Sequence, residues 1–100
     1  MPTSSSQPNN AIGFVHLIGA GPGDPELITV RGLRCLQAAD AVLYDKLSPP
    51  ELLDEAPPQA QLFNVGKTPN RHFMAQEEIN RLIIKLANDG LDVVRLKGGD

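Results

Sequence analysis

A chain of 100 residues makes one small domain or a part of a larger one. Its net charge of -3 excludes a general nucleic-acid binder, so any anionic ligand would need a local cluster of cations. The single cysteine, Cys35, excludes an internal disulfide and reads as a partly buried apolar residue. His16 and His72 lie far apart without clustered Cys or carboxylate partners, which argues against a metal site.

The opening stretch "MPTSSSQPNNA" is polar and rich in Ser, Asn and Pro, too poor in apolar surface to offset the entropy of ordering. Residues 1–13 are therefore expected to be a disordered tail. The tail has neither the positive start nor the apolar centre of a secretory signal. No apolar run in the chain approaches the length of a membrane-spanning helix, so a soluble, cytoplasmic protein with no membrane partner is expected. "FVHLI" (14–18) predicts a short buried strand. Thr29 predicts the cap of a helix whose Val30, Leu33, Leu36 and Ala39 face inward as far as Asp40. "AVLY" (41–44) is a second strand, and "PPELLDEA" (49–56) suits a short helix with proline in its first turn. "QLFNV" (61–65) is a third strand weakened by Gln61 and Asn64. "AQEEINRLIIKLANDG" (75–90) places Ile79, Leu82, Ile83 and Leu86 on one helical face. It adds a Glu77–Arg81 pair and ends on a glycine stop. "LDVVRLK" (91–97) is the fourth strand.

The order βαβαβαβ predicts an α/β fold, a parallel sheet with helices on both faces. Right-handed crossovers then bring all strand-to-helix loops to one edge, where such folds bind ligands. Those exits read "GAGPGD", "YDKLS", "GKTPNRH" and "KGGD", whereas the opposite loops, "QAAD", "APPQA" and "ANDG", read as ordinary punctuation. Because Asp100 closes a glycine pair with no helix behind it, the chain is expected to be the amino-terminal portion of a longer protein.

The first exit superficially matches a dinucleotide fingerprint. Gly19 and Gly21 fit G-x-G-x-x-G, but the third position is Asp24, whose carboxylate would repel a pyrophosphate, and Pro25 delays the helix. Gly21 and Gly23 flanking Pro22 make a stiff, narrow wall that lets a ligand approach the backbone. A plain glycine-rich turn is the competing reading.

Taken together, "VHLIGAGPGDPELITVRGLRCLQAADAVLYDKLSPPELL", "VGKTPNRH", "QEEIN" and "VVRLKGGD" resemble the tetrapyrrole methylases. Within that family the likeness is greatest to the members that methylate uroporphyrinogen III, because "LYDKL" and "RLKGGD" are the loops at which siblings acting on later precorrins usually depart. The likeness spans residues 14–100. It implies a three-layer amino-terminal α/β domain, its carboxy-terminal domain absent here, from an enzyme that binds S-adenosylmethionine between two domains. It further implies methylation of ring carbons of uroporphyrinogen III to precorrin-2, on the route to sirohaem and cobalamin, by a protein expected to be a homodimer at full length. Matched by position, Asp45 corresponds to the family's proton acceptor and Lys67 to its proton donor. Pro22, Gly98, Gly99 and Asp100 correspond to cofactor contacts.

The chemistry is compatible with these groups. Methylation at carbon needs positioning of an activated methyl donor and a base for the ring proton. Asp45 stands at a strand exit, although taken alone it reads equally as a capping or solvated aspartate. Lys67, Arg71 and His72 form a local basic loop suited to clamping a polycarboxylate, with Arg71 the better bidentate partner. Gly98 and Gly99 would let backbone approach a ligand, and Asp100 could accept hydrogen bonds from it or cap a following helix. Two alternatives stay open: a sibling precorrin methyltransferase, or a nucleotide-binding α/β module without catalysis. The 100 residues by themselves are expected to be inactive.

Overall fold

The computed structural model describes residues 11–21, 24–66 and 75–98. They form a four-stranded, wholly parallel sheet in the order β1-β4-β2-β3, from β1 (Val15–Gly19), β2 (Ala41–Tyr44), β3 (Gln61–Asn64) and β4 (Val93–Lys97). Helices α1 (Val30–Gln37) and α2 (Pro50–Leu53) pack on one face, and α3 (Gln76–Asn88) packs on the other. The α/β fold predicted from the alternating pattern is the one observed.

The last strand in the chain is inserted between the first two. β4 takes that place because Val93, Val94 and Leu96 suit burial on both faces, and all three are fully buried. Its neighbour β2 is equally apolar, with Ala41, Val42 and Leu43 inaccessible. β3 lies at an edge, which explains how a strand tolerates Gln61 and Asn64, both exposed. One core layer joins Ile18, Leu36, Ala39, Val42, Leu52, Val94 and Leu96 under α1 and α2. The other joins Leu43, Val65, Val93 and the α3 residues Ile79, Ile83 and Leu86.

Two expectations fail for the same physical reason, the position of an element at the margin. β1 is not a buried strand: of its residues only Ile18 is buried, and Leu17 is 75% exposed. It is the outermost strand, and α3 covers β2, β3 and β4 rather than the Val15–Leu17 side of β1. Val30 does not face inward either. It opens α1 and is exposed, and the helix instead buries Gly32 and Leu36; α1 stops at Gln37, short of Asp40, and Ala39 is buried just beyond its end. A Cβ at Gly32 would lie 2.9 Å from Ile18 Cγ2, so the glycine is what seats α1 closely on β1.

Local signals mostly hold. Before α1, Pro25–Leu27 forms a 3-10 turn capped by Asp24, whose carboxylate accepts the Glu26 N–H at 2.9 Å. Thr29 Oγ1 accepts the Gly32 N–H at 2.9 Å, as an N-cap should. Thr29→Ala is expected to lower unfolding free energy by about 1 kcal/mol, read from the midpoint of a urea titration. α3 ends in a Schellman motif. Gly90 at φ +88° places its N–H on Ala87 O and the Leu91 N–H on Leu86 O. The expected Glu77–Arg81 pair does not form. The ion pair on this helix is Lys85–Asp89 at 3.2 Å, both side chains well exposed.

Asp40, in a loop read as punctuation, and Asp92, in the stretch read as the start of the fourth strand, form a specific tie. Asp40 Oδ2 accepts the Asp92 N–H, and Asp92 Oδ1 accepts the Phe14 N–H, both at 2.9 Å. These carboxylates knit the starts of β1, β2 and β4 together. The backbone is already held at Gly13, whose N–H donates to Ala87 O at 2.8 Å.

Candidate active site

The β2 exit folds on itself. Asp45 leaves the strand, and its Oδ1 accepts the Leu47 N–H at 3.0 Å and meets Ser48 Oγ at 3.1 Å. The Ser48 N–H closes the turn on Asp45 O at 3.1 Å. An aspartate followed three residues later by serine makes such a turn locally, from side-chain bonds to nearby backbone. Ser48 itself is buried, and its hydroxyl also lies 3.3 Å from Leu96 O in β4. The capping role that Asp45 could have had is therefore real, but it occupies only one carboxylate oxygen.

Two glycines press this turn from either side. A Cβ at Gly66, just after β3, would lie 2.7 Å from Asp45 Cβ. A Cβ at Gly98, just after β4, would lie 2.1 Å from Ser48 N and 2.2 Å from Leu47 O. Those separations are far inside van der Waals contact, so the β3 and β4 exits abut the Asp45–Ser48 turn of the β2 exit with no space for a methyl group. Gly98 is required by this packing against the protein itself. At the β1 exit the situation differs. A Cβ at Gly19 would meet nothing within 4 Å among the described residues, and Gly21 adopts φ +79°, a conformation glycine allows.

The other carboxylate oxygen faces a cation. Arg95 Nη1 lies 4.0 Å from Asp45 Oδ2, too long for a hydrogen bond but close enough for an ion pair. The same nitrogen donates to Leu96 O at 2.9 Å and reaches Leu43 O at 3.5 Å. Register explains the meeting: Leu43 pairs with Arg95 across β2 and β4, and Asp45 follows Leu43 by two residues on the same face. The Arg95 side chain is 10% exposed and that of Asp45 20%. A buried guanidinium demands partners, and here it has two carbonyls and a carboxylate.

Of the sequence-predicted site residues, Asp45 and Gly98 stand together at the centre of the exit edge. Pro22, Lys67, Gly99 and Asp100, with Arg71 and His72, lie outside the described residues. Their chain neighbours are in place: Gly66 precedes Lys67 and touches the Asp45 turn, and Gly98 precedes Gly99. Sequence reasoning missed Ser48 and left Arg95 unassigned. The signals were available as the D-x-x-S spacing and as an arginine within an otherwise apolar central strand. A concavity of about 440 Å³ lies elsewhere, along β1 and α1, bordered by Val15, Leu17, Gly19, Arg31 and Cys35. None of its described lining residues is a carboxylate. Among the described residues no three His, Cys, Asp or Glu side chains gather as a metal site, and no helix is long and apolar enough to cross a membrane.

The chain is similar in sequence and fold to proteins named as methyltransferases. The chain is 56% identical over 88 residues to a uroporphyrinogen-III C-methyltransferase of Bacillus subtilis, a match covering 88% of the chain but 18% of that relative's length. The structure of uroporphyrin-III C-methyltransferase from Thermus thermophilus superposes with a TM-score of 0.71 at 45% identity, over 88% of this chain and 36% of that one. A second structure of the Thermus thermophilus enzyme, complexed with S-adenyl homocysteine, superposes with a TM-score of 0.67 at 44% identity, over 88% and 33% of the respective chains. The family model for Tetrapyrrole (Corrin/Porphyrin) Methylases matches residues 15–100, and with the parallel sheet and the loops at its exit edge this makes the chain a member of the tetrapyrrole methylases.

Proposed function

We propose that residues 14–100 serve as the amino-terminal domain of a longer S-adenosylmethionine-dependent methyltransferase that converts uroporphyrinogen III to precorrin-2. The observation that supports this most is the convergence of the β2, β3 and β4 exits on the Asp45–Ser48 turn, with one Asp45 carboxylate oxygen hydrogen-bonded within the turn and the other facing Arg95. Relatives at this identity bear the name of that activity, and one was solved with S-adenyl homocysteine.

S-adenosylmethionine supplies a methyl group already activated as a sulfonium, so the protein's task is placement and proton management. In this reading Asp45 Oδ2 accepts the proton released from the methylated ring, and Lys67 donates one elsewhere on the macrocycle. Among the described residues nothing lies within 4 Å of a Cβ built at Gly19, which suits a bulky ligand beside the β1 exit. The backbone of Pro22, Gly98, Gly99 and Asp100 would line the donor's site. A homodimer belongs to the same reading, as does the absence of nucleic-acid and membrane partners.

A solved cobalt precorrin-4 methyltransferase also superposes, with a TM-score of 0.67 at 40% identity, so a sibling substrate is the second reading. The full-length polypeptide is expected to release two equivalents of S-adenosylhomocysteine for each uroporphyrinogen III consumed. Turnover of a later precorrin but not of uroporphyrinogen III would transfer the assignment to the sibling.

A further inference from the structure

The proposed reaction employs Asp45 and Lys67 and leaves one buried cation without a task. Arg95 occupies a central strand, where arginine is a poor choice for packing alone. Its contacts form a closed circuit. Asp45 Oδ1 meets Ser48 Oγ, Ser48 Oγ meets Leu96 O, Leu96 O accepts from Arg95 Nη1, and Arg95 Nη1 returns to Asp45 Oδ2. We propose that Arg95 and Ser48 are the positioning pair for Asp45, Ser48 fixing one carboxylate oxygen and Arg95 setting the direction of the other. The inference rests on the reading of Asp45 as proton acceptor and extends it to residues that do not touch substrate.

Three features favour positioning over direct recognition of a substrate carboxylate by Arg95. Its side chain is 10% exposed, leaving little surface for a ligand. Its Nη1 is held by the carbonyls of Leu96 and Leu43, which fixes the guanidinium relative to the sheet. Gly66 and Gly98 close on the turn from both sides, so Asp45 cannot drift away from its partner without moving backbone.

The test is a double-mutant cycle in the full-length polypeptide, following kcat and both KM values. Arg95→Met is expected to lower kcat by about 100-fold, the scale of misplacing a catalytic group by about 1 Å, with both KM values little changed. In an Asp45→Asn background the same change is expected to cost no more than about twofold, because the group it positions is already gone. Arg95→Lys restores the charge and is expected to recover a large part of kcat.

An equal loss of kcat in both backgrounds would overturn the proposal, as would a rise in uroporphyrinogen III KM with kcat unchanged. If Arg95→Met fails to fold, Arg95→Gln, which keeps a donor for the Leu96 and Leu43 carbonyls but removes the charge facing Asp45, carries the same cycle, and the same two results would overturn the proposal. Asp45→Asn with wild-type kcat would instead refute the reading of Asp45 itself, so the two failures are distinguishable.

Discussion

Replacing Asp45 with asparagine is expected to reduce methyl transfer by about 10²–10⁴-fold, the usual contribution of a positioned acid–base group. The fold should survive the change. Asparagine keeps an oxygen where Oδ1 accepts the Leu47 N–H and meets Ser48 Oγ, so the turn retains its bonds. What is lost is the negative charge facing Arg95. That pair is separated by 4.0 Å and its carboxylate side is one-fifth exposed, so the loss should fall below the 3–5 kcal/mol typical of a broken, fully buried pair. A cost of about 1–2 kcal/mol is expected from chemical denaturation. Steady-state rates at saturating substrate give the catalytic effect. A rate within about threefold of wild type would remove Asp45 from the mechanism, since general acid–base groups contribute far more than that.

The second large effect concerns stability and activity together. Gly98→Ala places a methyl carbon 2.1 Å from Ser48 N and 2.2 Å from Leu47 O. The obstructing atoms are backbone, and they are pinned by the Ser48–Asp45 turn, so no side-chain rotation relieves the clash. Overpacking of this kind costs about 1–3 kcal/mol and occasionally more, and the upper end is expected here. Any relaxation must push the β2 exit away from β4, which separates Asp45 from Arg95. Gly98→Ala is therefore expected to lose both stability and turnover. Gly19→Ala is the control, because its added carbon would meet nothing within 4 Å and its stability should change by less than about 1 kcal/mol. Equal effects at the two glycines would show that the crowding at Gly98 is not what that position requires.

Much of this architecture was legible from the residues. Short apolar runs, helical spacing and cap or proline signals located the described strands and α-helices to within a few residues. The alternation of type implied a parallel sheet, and the topology then gathered the chemically loaded loops on one edge. The Asn88-Asp89-Gly90 stop became a Schellman motif because Gly90 accepts the positive φ that motif demands. What escaped sequence reasoning depends on lateral order in the sheet. Apolar composition alone did not say that "FVHLI" would be the outermost strand, with Leu17 exposed. Nor could periodicity show that β4 enters between β1 and β2, which is the step that brings Arg95 beside Leu43 and so within reach of Asp45. Gly98 read as a place for a ligand to approach, and the pattern could not show that the backbone of Leu47 and Ser48, contributed by a loop some fifty residues earlier, also comes close to it. Asp40 read as a turn residue and Asp92 as part of the fourth strand, because their hydrogen-bond partners lie across the sheet.

The central claim is that this α/β domain belongs to an enzyme placing methyl groups on uroporphyrinogen III, with Asp45 at the proton-transfer position. The most direct measurement supplies the full-length polypeptide with S-adenosylmethionine carrying an isotopically labelled methyl group, together with uroporphyrinogen III, and weighs the product by mass spectrometry. Two labelled methyl groups per macrocycle, lost on Asp45→Asn, are the predicted result. An unmodified macrocycle, under conditions where a control uroporphyrinogen-III methyltransferase completes the reaction, would contradict it.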